Sequence, residues 1–210
     1  MEKLEELRRE AKTFFGNVDP SHDWLHVKRV LKLSEEIAEK ENVDRETVKS
    51  AVLLHDIGRK REDNGEIDDH AEWGAEKAEE ILEEMNFNQN KIREIKHCIR
   101  THRDSTGPEP ETLEAKTLCD ADNLDALGAT GIARTFSVGG ERQDAIADPD
   151  LPVEKDETST GKTTLNHFYK KILELKTQMY TETGREIAEE RHEYTRKFVE
   201  RLEKELDGKK

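Results

Sequence analysis

Cysteine and long apolar runs are scarce in this sequence. Only Cys98 and Cys119 occur among 210 residues, which excludes a disulfide-rich secreted scaffold and favours reduced thiols. The first ten residues, MEKLEELRRE, contain no apolar signal region, and no run of residues approaches the length of a membrane span. We therefore expect a cytoplasmic protein that has no membrane partner.

Basic charge is also in deficit. The chain has 35 Lys and Arg residues against 49 Asp and Glu residues, a formal net charge of -14. Such an excess of negative charge argues against binding to nucleic acid or to an anionic membrane surface. A small anionic substrate would need a local positive centre, such as a metal ion.

The periodicity of apolar residues is helical along nearly the whole chain, and no segment alternates convincingly as a strand would. We predict an all-α fold and one structural domain, since two separate domains in 210 residues would be small. Helices are predicted at 2–15, from an N-cap at Ser21, from a cap at Asp44, at 69–85 and at 88–101, with a polar loop at 60–68. A further predicted helix carries Leu113, Leu118, Asp122 and Asp125, and two C-terminal helices are predicted at 164–179 and 183–206. The predicted core is 1–136, followed by a long loop or lid at 137–163 and by C-terminal helices at 164–210 that pack on the core.

The run AVLLHDIGR at 51–59 is the main candidate for a functional site. His55 follows apolar residues at i−7, i−4 and i−3, which places it on the core-facing stripe of the predicted helix. Asp56 is adjacent, and Gly58 is suited to ending the helix. Because a buried carboxylate without a compensating cation is costly, we expect a positive group at this point.

Further imidazoles and carboxylates fall on core-facing positions elsewhere. His26 lies beside the apolar stripe of the second predicted helix, and His70 and His102 point inward from two later helices. Asp122 and Asp125 occupy positions where an amphipathic pattern expects apolar residues. These polar groups in core positions predict one shared site.

Two imidazoles and two carboxylates, from His26, His55, Asp56 and Asp122, form a borderline-hard set of donors. Such a set suits Mn²⁺, Fe²⁺, Co²⁺, Ni²⁺, Mg²⁺ or Zn²⁺ better than a thiolate site would. Four ligands leave a coordination position open to solvent. An ion bound in this way can acidify water and polarise a phosphoryl oxygen, which are the tasks that phosphate hydrolysis requires.

The segments SHDWLHVKRV, AVLLHDIGR and CDADNLDALGA resemble the H, HD and D blocks of the HD superfamily of metal-dependent phosphohydrolases. GATGIARTF, LNHFYKKILELK and TGREIAEERH are similar to segments of the stand-alone HD proteins that include nucleoside triphosphate pyrophosphohydrolases. The resemblance covers nearly the whole chain. It implies a helical HD-domain bundle with extra C-terminal helices and a small phosphorylated substrate, with nucleotides as the first choice.

The resemblance also implies which residues hold the ion. The first ligand of the family matches His26, and the HD pair matches His55 and Asp56. The last ligand matches Asp122, with Asp120 as the competing choice and Asp125 as a residue that supports a ligand.

His70 and His102 match the extra histidines that complete a second metal site in HD proteins with two ions. The alternative is that they bind phosphate or orient the other ligands, and we expect one ion rather than two. The remaining histidines are not assigned as ligands: His22 and His97 are predicted to support ligands or lie at the surface, while His167 and His192 match the C-terminal pattern without an assigned role.

The expected reaction is in-line attack at phosphorus by a water that the ion activates. Asp56 is the expected catalytic metal ligand, and Asp125 or Glu72 is the expected proton acceptor. The cations predicted to bind substrate are Arg29, Lys60, Arg103 and Arg134. Arg134 within GIARTF is the first choice, and for each of the four the alternative is a surface charge or an ion-pair partner.

Two other functions are compatible with the same residues. The fold could bind a metal and a nucleotide as a non-catalytic sensor or interaction protein, or the metal could be purely structural. The intact set of ligands argues against the first, and the many nearby acids and bases argue against the second. The sequence leaves open which phosphate bond would be cleaved and the oligomeric state, a homodimer included.

Overall fold

The structure is a computed structural model that describes residues 2–16, 22–103 and 107–209. Every regular element in these ranges is a helix, which confirms the predicted all-α fold. The chain divides into two compact units, Met1–Asp122 and Asn123–Lys210. The predicted partition into core, lid and C-terminal helices stays a prediction. None of the helices in the described ranges is both long and apolar enough to cross a bilayer.

The described residues of the first unit form seven helices, the last of which continues into the second unit. They are α1 (Glu2–Lys12, continued by a 3-10 turn at Thr13–Phe15), α2 (Trp24–Lys40), α3 (Arg45–Leu54), α4 (Arg59–Asp63), α5 (His70–Glu84), α6 (Gln89–Thr101) and α7 (Leu113–Asp125). The bounds of most agree with the predicted helices to within a few residues. The exception is α4, which occupies part of a segment predicted to be a polar loop.

Aspartate side chains begin three of these helices. Asp44 accepts hydrogen bonds from the first backbone N–H groups of α3, as predicted, and Asp69 does so for α5. At α2 the cap is Asp23, which accepts from the backbone N–H of His26 at 2.8 Å. The predicted cap at Ser21 lies outside the described residues. Each carboxylate satisfies N–H groups that have no partner within the helix.

Helix α3 lies at the centre of the first unit, in contact with α1, α2 and α6, while α5 pairs with α6. All residues from Ser50 to Gly58 are buried, so the apolar run continues into the turn that follows the helix. The cysteines belong to the same core: Cys98 on α6 and Cys119 on α7 are both free thiols, 0% and 4% exposed.

The second unit contains the end of α7, then α8 (Gly128–Glu141), a 3-10 turn (Val153–Lys155), α9 (Thr164–His167), a π-helical turn (Phe168–Ile172), a 3-10 segment (Leu173–Gln178) and α10 (Glu182–Leu206). Phe168 is fully buried and lies against the half-buried rings of Phe136 and Phe198, and the three ring centroids are 5.8, 5.9 and 6.2 Å apart. Helix α8 extends to Glu141, past the predicted start of the loop at 137. The segment predicted as a helix at 164–179 is helical over 164–178, in consecutive α, π and 3-10 parts.

The carboxylate of Asp156 organises the loop at 142–163. Its Oδ1 accepts from the backbone N–H and hydroxyl of Thr158 at 3.0 and 2.6 Å, and its Oδ2 accepts from Lys162 N at 2.7 Å and Asn166 Nδ2 at 2.8 Å. The Lys170 ammonium donates to the backbone carbonyls of Asp156 and Thr158. Hydrogen bonds from Thr158 and Lys162 hold the pKa of Asp156 below its ordinary value. Asp156 therefore accepts four of the hydrogen bonds that anchor this loop.

We expect Asp156→Ala to loosen this loop, because four donors lose their common acceptor. Limited proteolysis by trypsin should cleave the variant within 142–163 several-fold faster than the wild type. Asp150→Ala is the matched control, since the Asp150 side chain is exposed in the same loop. Equal cleavage of both variants would contradict the anchoring role of Asp156.

Candidate metal centre

The HD pair lies in a buried turn directly after α3. Helix α3 ends at Leu54, so His55 and Asp56 follow the helix rather than lie within it as predicted, and α4 begins at Arg59. Gly58 is needed for space, because a Cβ there would lie 2.7 Å from the backbone oxygen of His70. Backbone contact with α5 thus brings His70 close to the HD pair.

Four predicted ligands meet on one side of the turn. The Nε2 atom of His26 lies 3.4 Å from His55 Nε2, 3.2 Å from Asp122 Oδ1 and 3.8 Å from Asp56 Oδ2. His55 Nε2 lies 3.5 Å from Asp56 Oδ2. The two histidine side chains are fully buried, and that of Asp122 is 27% exposed. We call these four residues the first cluster; its atoms could hold one ion, and Asp122 lies on the side open to solvent.

Asp56 also belongs to a second group of donors. Its Oδ1 lies 3.3 Å from His70 Nε2 and 3.5 Å from His102 Nε2, and these two nitrogens are 3.2 Å apart. We call His70, His102 and Asp56 the second cluster. One carboxylate therefore presents Oδ2 to the first cluster and Oδ1 to the second.

Hydrogen bonds at Nδ1 determine what the rings present to Asp56. His55 Nδ1 lies 2.8 Å from the carbonyl oxygen of Val52, and His102 Nδ1 lies 2.6 Å from that of Ile99. A carbonyl only accepts, so each Nδ1 donates, and Nε2 of the neutral ring is left with a lone pair. Asp56 Oδ1 is buried without a hydrogen-bond partner among the described residues. Electron-rich atoms that converge in this way fit a divalent cation.

The titration properties of His55, Asp56 and Asp122 agree with their role as ligands. Burial lowers the pKa of His55 to about 4, against the opposing effect of Asp56. Burial would raise the pKa values of Asp56 and Asp122, but the neighbouring imidazoles outweigh it and hold both well below the ordinary value. At neutral pH, His55 is then neutral and both carboxylates are ionised, as metal binding requires. At His102, burial lowers the pKa, but Asp56 outweighs it and raises the value.

The acids predicted as ligands or proton acceptors lie in different surroundings. Asp122 lies next to His26, whereas Asp120 is fully buried on the same helix. Asp125 belongs to the second unit, where its Oδ2 accepts from Arg134 Nη1 at 2.8 Å. Glu72 forms a bidentate ion pair with Arg100 on the surface and is 59% exposed, and its role as proton acceptor stays a prediction.

The predicted substrate cations in the first unit have their own contacts. Lys60 Nζ donates to the carbonyl oxygen of Gly16 at 2.6 Å. Arg103 Nη1 lies 3.0 Å from Glu62 and 3.2 Å from Asp69. Arg29 is half-buried on α2, one helical turn after His26. Their contacts with substrate, like those of Arg134, stay predictions.

Arg59 and Glu62 are two polar residues of this site that the sequence analysis did not identify. Arg59 Nη1 donates to Glu62 Oε2 at 2.9 Å, and Nη2 donates to His22 Nε2 at 3.0 Å. Burial opposes the charged form of Arg59, but Asp56 and Glu62 outweigh it and raise its pKa. The i, i+3 spacing of Arg59 and Glu62 directly after the HD turn was the available clue.

Three of the remaining four histidines have local contacts among the described residues. The ring of His22 lies 5.6 Å from that of His26, between centroids, and His97 Nε2 accepts from the backbone N–H of Glu111 at 3.1 Å. In the second unit, His167 Nδ1 donates to the Thr160 carbonyl at 2.7 Å. His192 Nδ1 is buried without a partner among the described residues.

Comparison with known proteins identifies the family. Residues 24–127 match the HD domain family, and the chain belongs to it. YpgQ of Bacillus subtilis, an uncharacterised protein, is 32% identical over 212 aligned positions, which cover 99% of this chain and 96% of YpgQ. The structure of an HD-superfamily hydrolase from Bacillus thuringiensis has 34% identity and a TM-score of 0.77, covering 98% of this chain and 97% of that one.

A crystal structure of Bacillus subtilis YpgQ in complex with ADP has 30% identity and a TM-score of 0.77, over 97% of this chain and 95% of the other. These similarities confirm the predicted family, and hydrolases are among its structural neighbours.

Proposed function

We propose that this protein is a metal-dependent phosphohydrolase that acts on small phosphorylated molecules, with nucleotides as the first choice. The main observation is that Asp56 is shared by two clusters of imidazoles that converge on its two oxygens. The likeness to HD-superfamily hydrolases supports hydrolysis, and the ADP bound to YpgQ supports a nucleotide. A cytoplasmic location is part of the same proposal.

The first cluster would hold the ion through the two Nε2 atoms of His26 and His55 and through Asp56 and Asp122. When bound, a divalent ion supplies Lewis acidity that polarises a phosphoryl oxygen and makes a water molecule more acidic. The hydrogen bond from His55 Nδ1 to Val52 keeps that ring aimed at the centre. Asp122 is partly exposed, so the substrate would approach from its side.

In the proposed reaction, a water oxygen attacks phosphorus in line with the P–O bond that breaks, and the leaving oxygen takes the electron pair. The side chains act by positioning and by neutralising charge. Arg59 contributes a guanidinium whose charge interacts with Asp56 and Asp122. The proton of the water passes to a carboxylate, for which Asp125 and Glu72 stay the candidates predicted from the sequence.

A substrate screen tests this proposal. Protein dialysed against EDTA would be supplied with Mn²⁺ and then with nucleoside triphosphates, monophosphates and cyclic nucleotides in turn. We expect release of phosphate, pyrophosphate or nucleoside from at least one class, only with the ion present. Binding of nucleotide without any product would favour the sensor alternative instead.

Metal stoichiometry tests the composition of the first cluster. We predict one Mn²⁺ per chain and an affinity that falls at least about 10-fold in Asp122→Ala. Removing a residue that only supports a ligand already lowers metal affinity by about this factor, and removing a ligand should lower it at least as much. Asp120→Ala should keep the ion, and circular dichroism would check that it folds. If Asp120→Ala loses the ion and Asp122→Ala keeps it, Asp120 is the last ligand instead of Asp122. If the wild type binds two ions per chain and His70→Ala binds one, the site holds two ions rather than the predicted one.

A further inference from the structure

The carboxylate of Glu62, on α4, accepts hydrogen bonds from three separate parts of the first unit. Its Oε2 accepts from His70 Nδ1 at 2.8 Å and from Arg59 Nη1 at 2.9 Å. Its Oε1 accepts from Arg103 Nη1 at 3.0 Å and from the backbone N–H of His70 at 3.3 Å. The side chain is 18% exposed, so these protein donors take the place of most of its hydration.

These contacts determine how His70 is protonated. An ionised carboxylate only accepts, so Nδ1 of His70 donates to Glu62 at 2.8 Å, and Nε2 of the neutral ring has the lone pair. Arg59 Nη1 also lies 3.4 Å from this Nδ1, but that contact is longer, and the same guanidinium nitrogen donates to Glu62 at 2.9 Å. That nitrogen faces Asp56 Oδ1 at 3.3 Å and His102 Nε2 at 3.2 Å. For His55 and His102 a backbone carbonyl does the same task. Of the two histidines in the second cluster, His70 is the one whose Nδ1 contacts a side chain, and a side chain can be replaced by mutation.

Two arginines keep Glu62 in its ionised form. Arg59 Nη1 donates to Oε2 at 2.9 Å and Arg103 Nη1 donates to Oε1 at 3.0 Å, so each oxygen of the carboxylate faces a permanent cation. Arg59 is itself fixed on its other side by the hydrogen bond to His22. The carboxylate is therefore charged and held in one position near neutral pH.

A metal site at Glu62 is the competing interpretation. The donor atoms of Glu62, Asp69 and His70 lie within 4.8 Å of one another. However, Arg103 Nη1 lies 3.0 Å from Glu62 Oε1 and 3.2 Å from Asp69 Oδ2. This guanidinium already neutralises both acids and would repel a second cation.

We propose that Glu62 is a positioning residue that sets the tautomer of His70 and aims its Nε2 at Asp56. The inference rests on the proposed function for its effect on turnover, but the tautomer itself does not depend on activity. Glu62 would act only through His70. Removing Glu62 should therefore have no further effect once His70 has been removed.

The test uses Glu62→Gln, which keeps the shape but leaves one acceptor oxygen for four donors. We expect kcat to fall about 10- to 100-fold, the range for residues that support a metal ligand. The double variant Glu62→Gln/His70→Ala should be as active as His70→Ala alone. Glu66→Gln is the control, since Glu66 is exposed and accepts from Arg61 and Asn64. It should retain wild-type kcat.

Nitrogen-15 NMR of the histidine rings in the metal-free full chain supplies a readout that needs no substrate. We expect His70, assigned by comparison with His70→Ala, to be protonated at Nδ1 in the wild type and to lose this preference in Glu62→Gln. A wild-type ring protonated only at Nε2, or multiplicative losses in the double variant, would overturn the inference. If His70 is protonated at Nδ1 but the protein turns over no phosphate compound, the role of Glu62 is upheld and the proposed function is rejected.

Discussion

Asp56→Asn will abolish metal-dependent turnover, with a loss of at least about 100-fold, because one carboxylate serves both clusters. Oδ2 faces His26 and His55, and Oδ1 faces His70 and His102. Asparagine has nearly the same shape but no charge, and its amide nitrogen cannot bind a cation. A 100-fold loss corresponds to about 2.7 kcal/mol of transition-state stabilisation.

The measurement is a steady-state assay across a Mn²⁺ titration, together with calorimetry of ion binding. Asp68→Asn is the matched control, because Asp68 is an exposed aspartate in the segment before α5. It should behave as the wild type. An Asp56→Asn variant that still turns over and still requires the metal would show that the site has been misplaced.

Gly131→Ala will cause the largest loss of stability that we expect from adding one methyl group. A Cβ at Gly131 would lie 2.0 Å from the backbone oxygen of Ala126 and 2.2 Å from its carbonyl carbon. Neither atom can move without opening the turn between α7 and α8. Overpacking against side chains costs about 1–3 kcal/mol, and a backbone clash exceeds that range, so we expect at least about 3 kcal/mol. The melting temperature should fall by about 6–12 °C.

Thermal and urea unfolding followed by circular dichroism would measure this effect. Gly140→Ala is the control in the same helix, since a Cβ there meets no atom of the described residues within 4 Å. That variant should gain up to about 1 kcal/mol from the reduced entropy of the unfolded chain. Equal stability of the two variants would contradict the predicted clash.

The helical fold was predictable because apolar residues recur with a helical period through most of the chain. Capping by Asp44 was also predictable from the local sequence, because a short side chain that accepts hydrogen bonds stands at the start of an apolar run. Gly58 shows where local reasoning stops. It was interpreted as a helix-ending residue, yet its φ is −88°, and glycine is required there because the backbone of His70 is so close.

Candidate ligands were predictable as residue types, but their surroundings were not. The sequence placed His26, His55 and Asp56 on core-facing positions, which the structure brings together. It could not distinguish Asp120 from Asp122, since both lie on one helix and the choice depends on how that helix is rotated against His26. Glu62 was missed because its contacts with His70 and Arg103 depend on how the chain folds and follow no periodic pattern, and its i, i+3 spacing from Arg59 was by itself a weak signal.

The buried thiols have a practical consequence. Burial raises the pKa of Cys98 to about 12, so almost no thiolate is present at neutral pH, and Cys119 is only 4% exposed. A cysteine introduced by Leu25→Cys, where the native side chain is 56% exposed and adjacent to His26, would be the reactive thiol toward maleimides. A fluorophore attached there would lie close enough for bound Mn²⁺ to quench it, so ion binding could be followed without mutating either native cysteine.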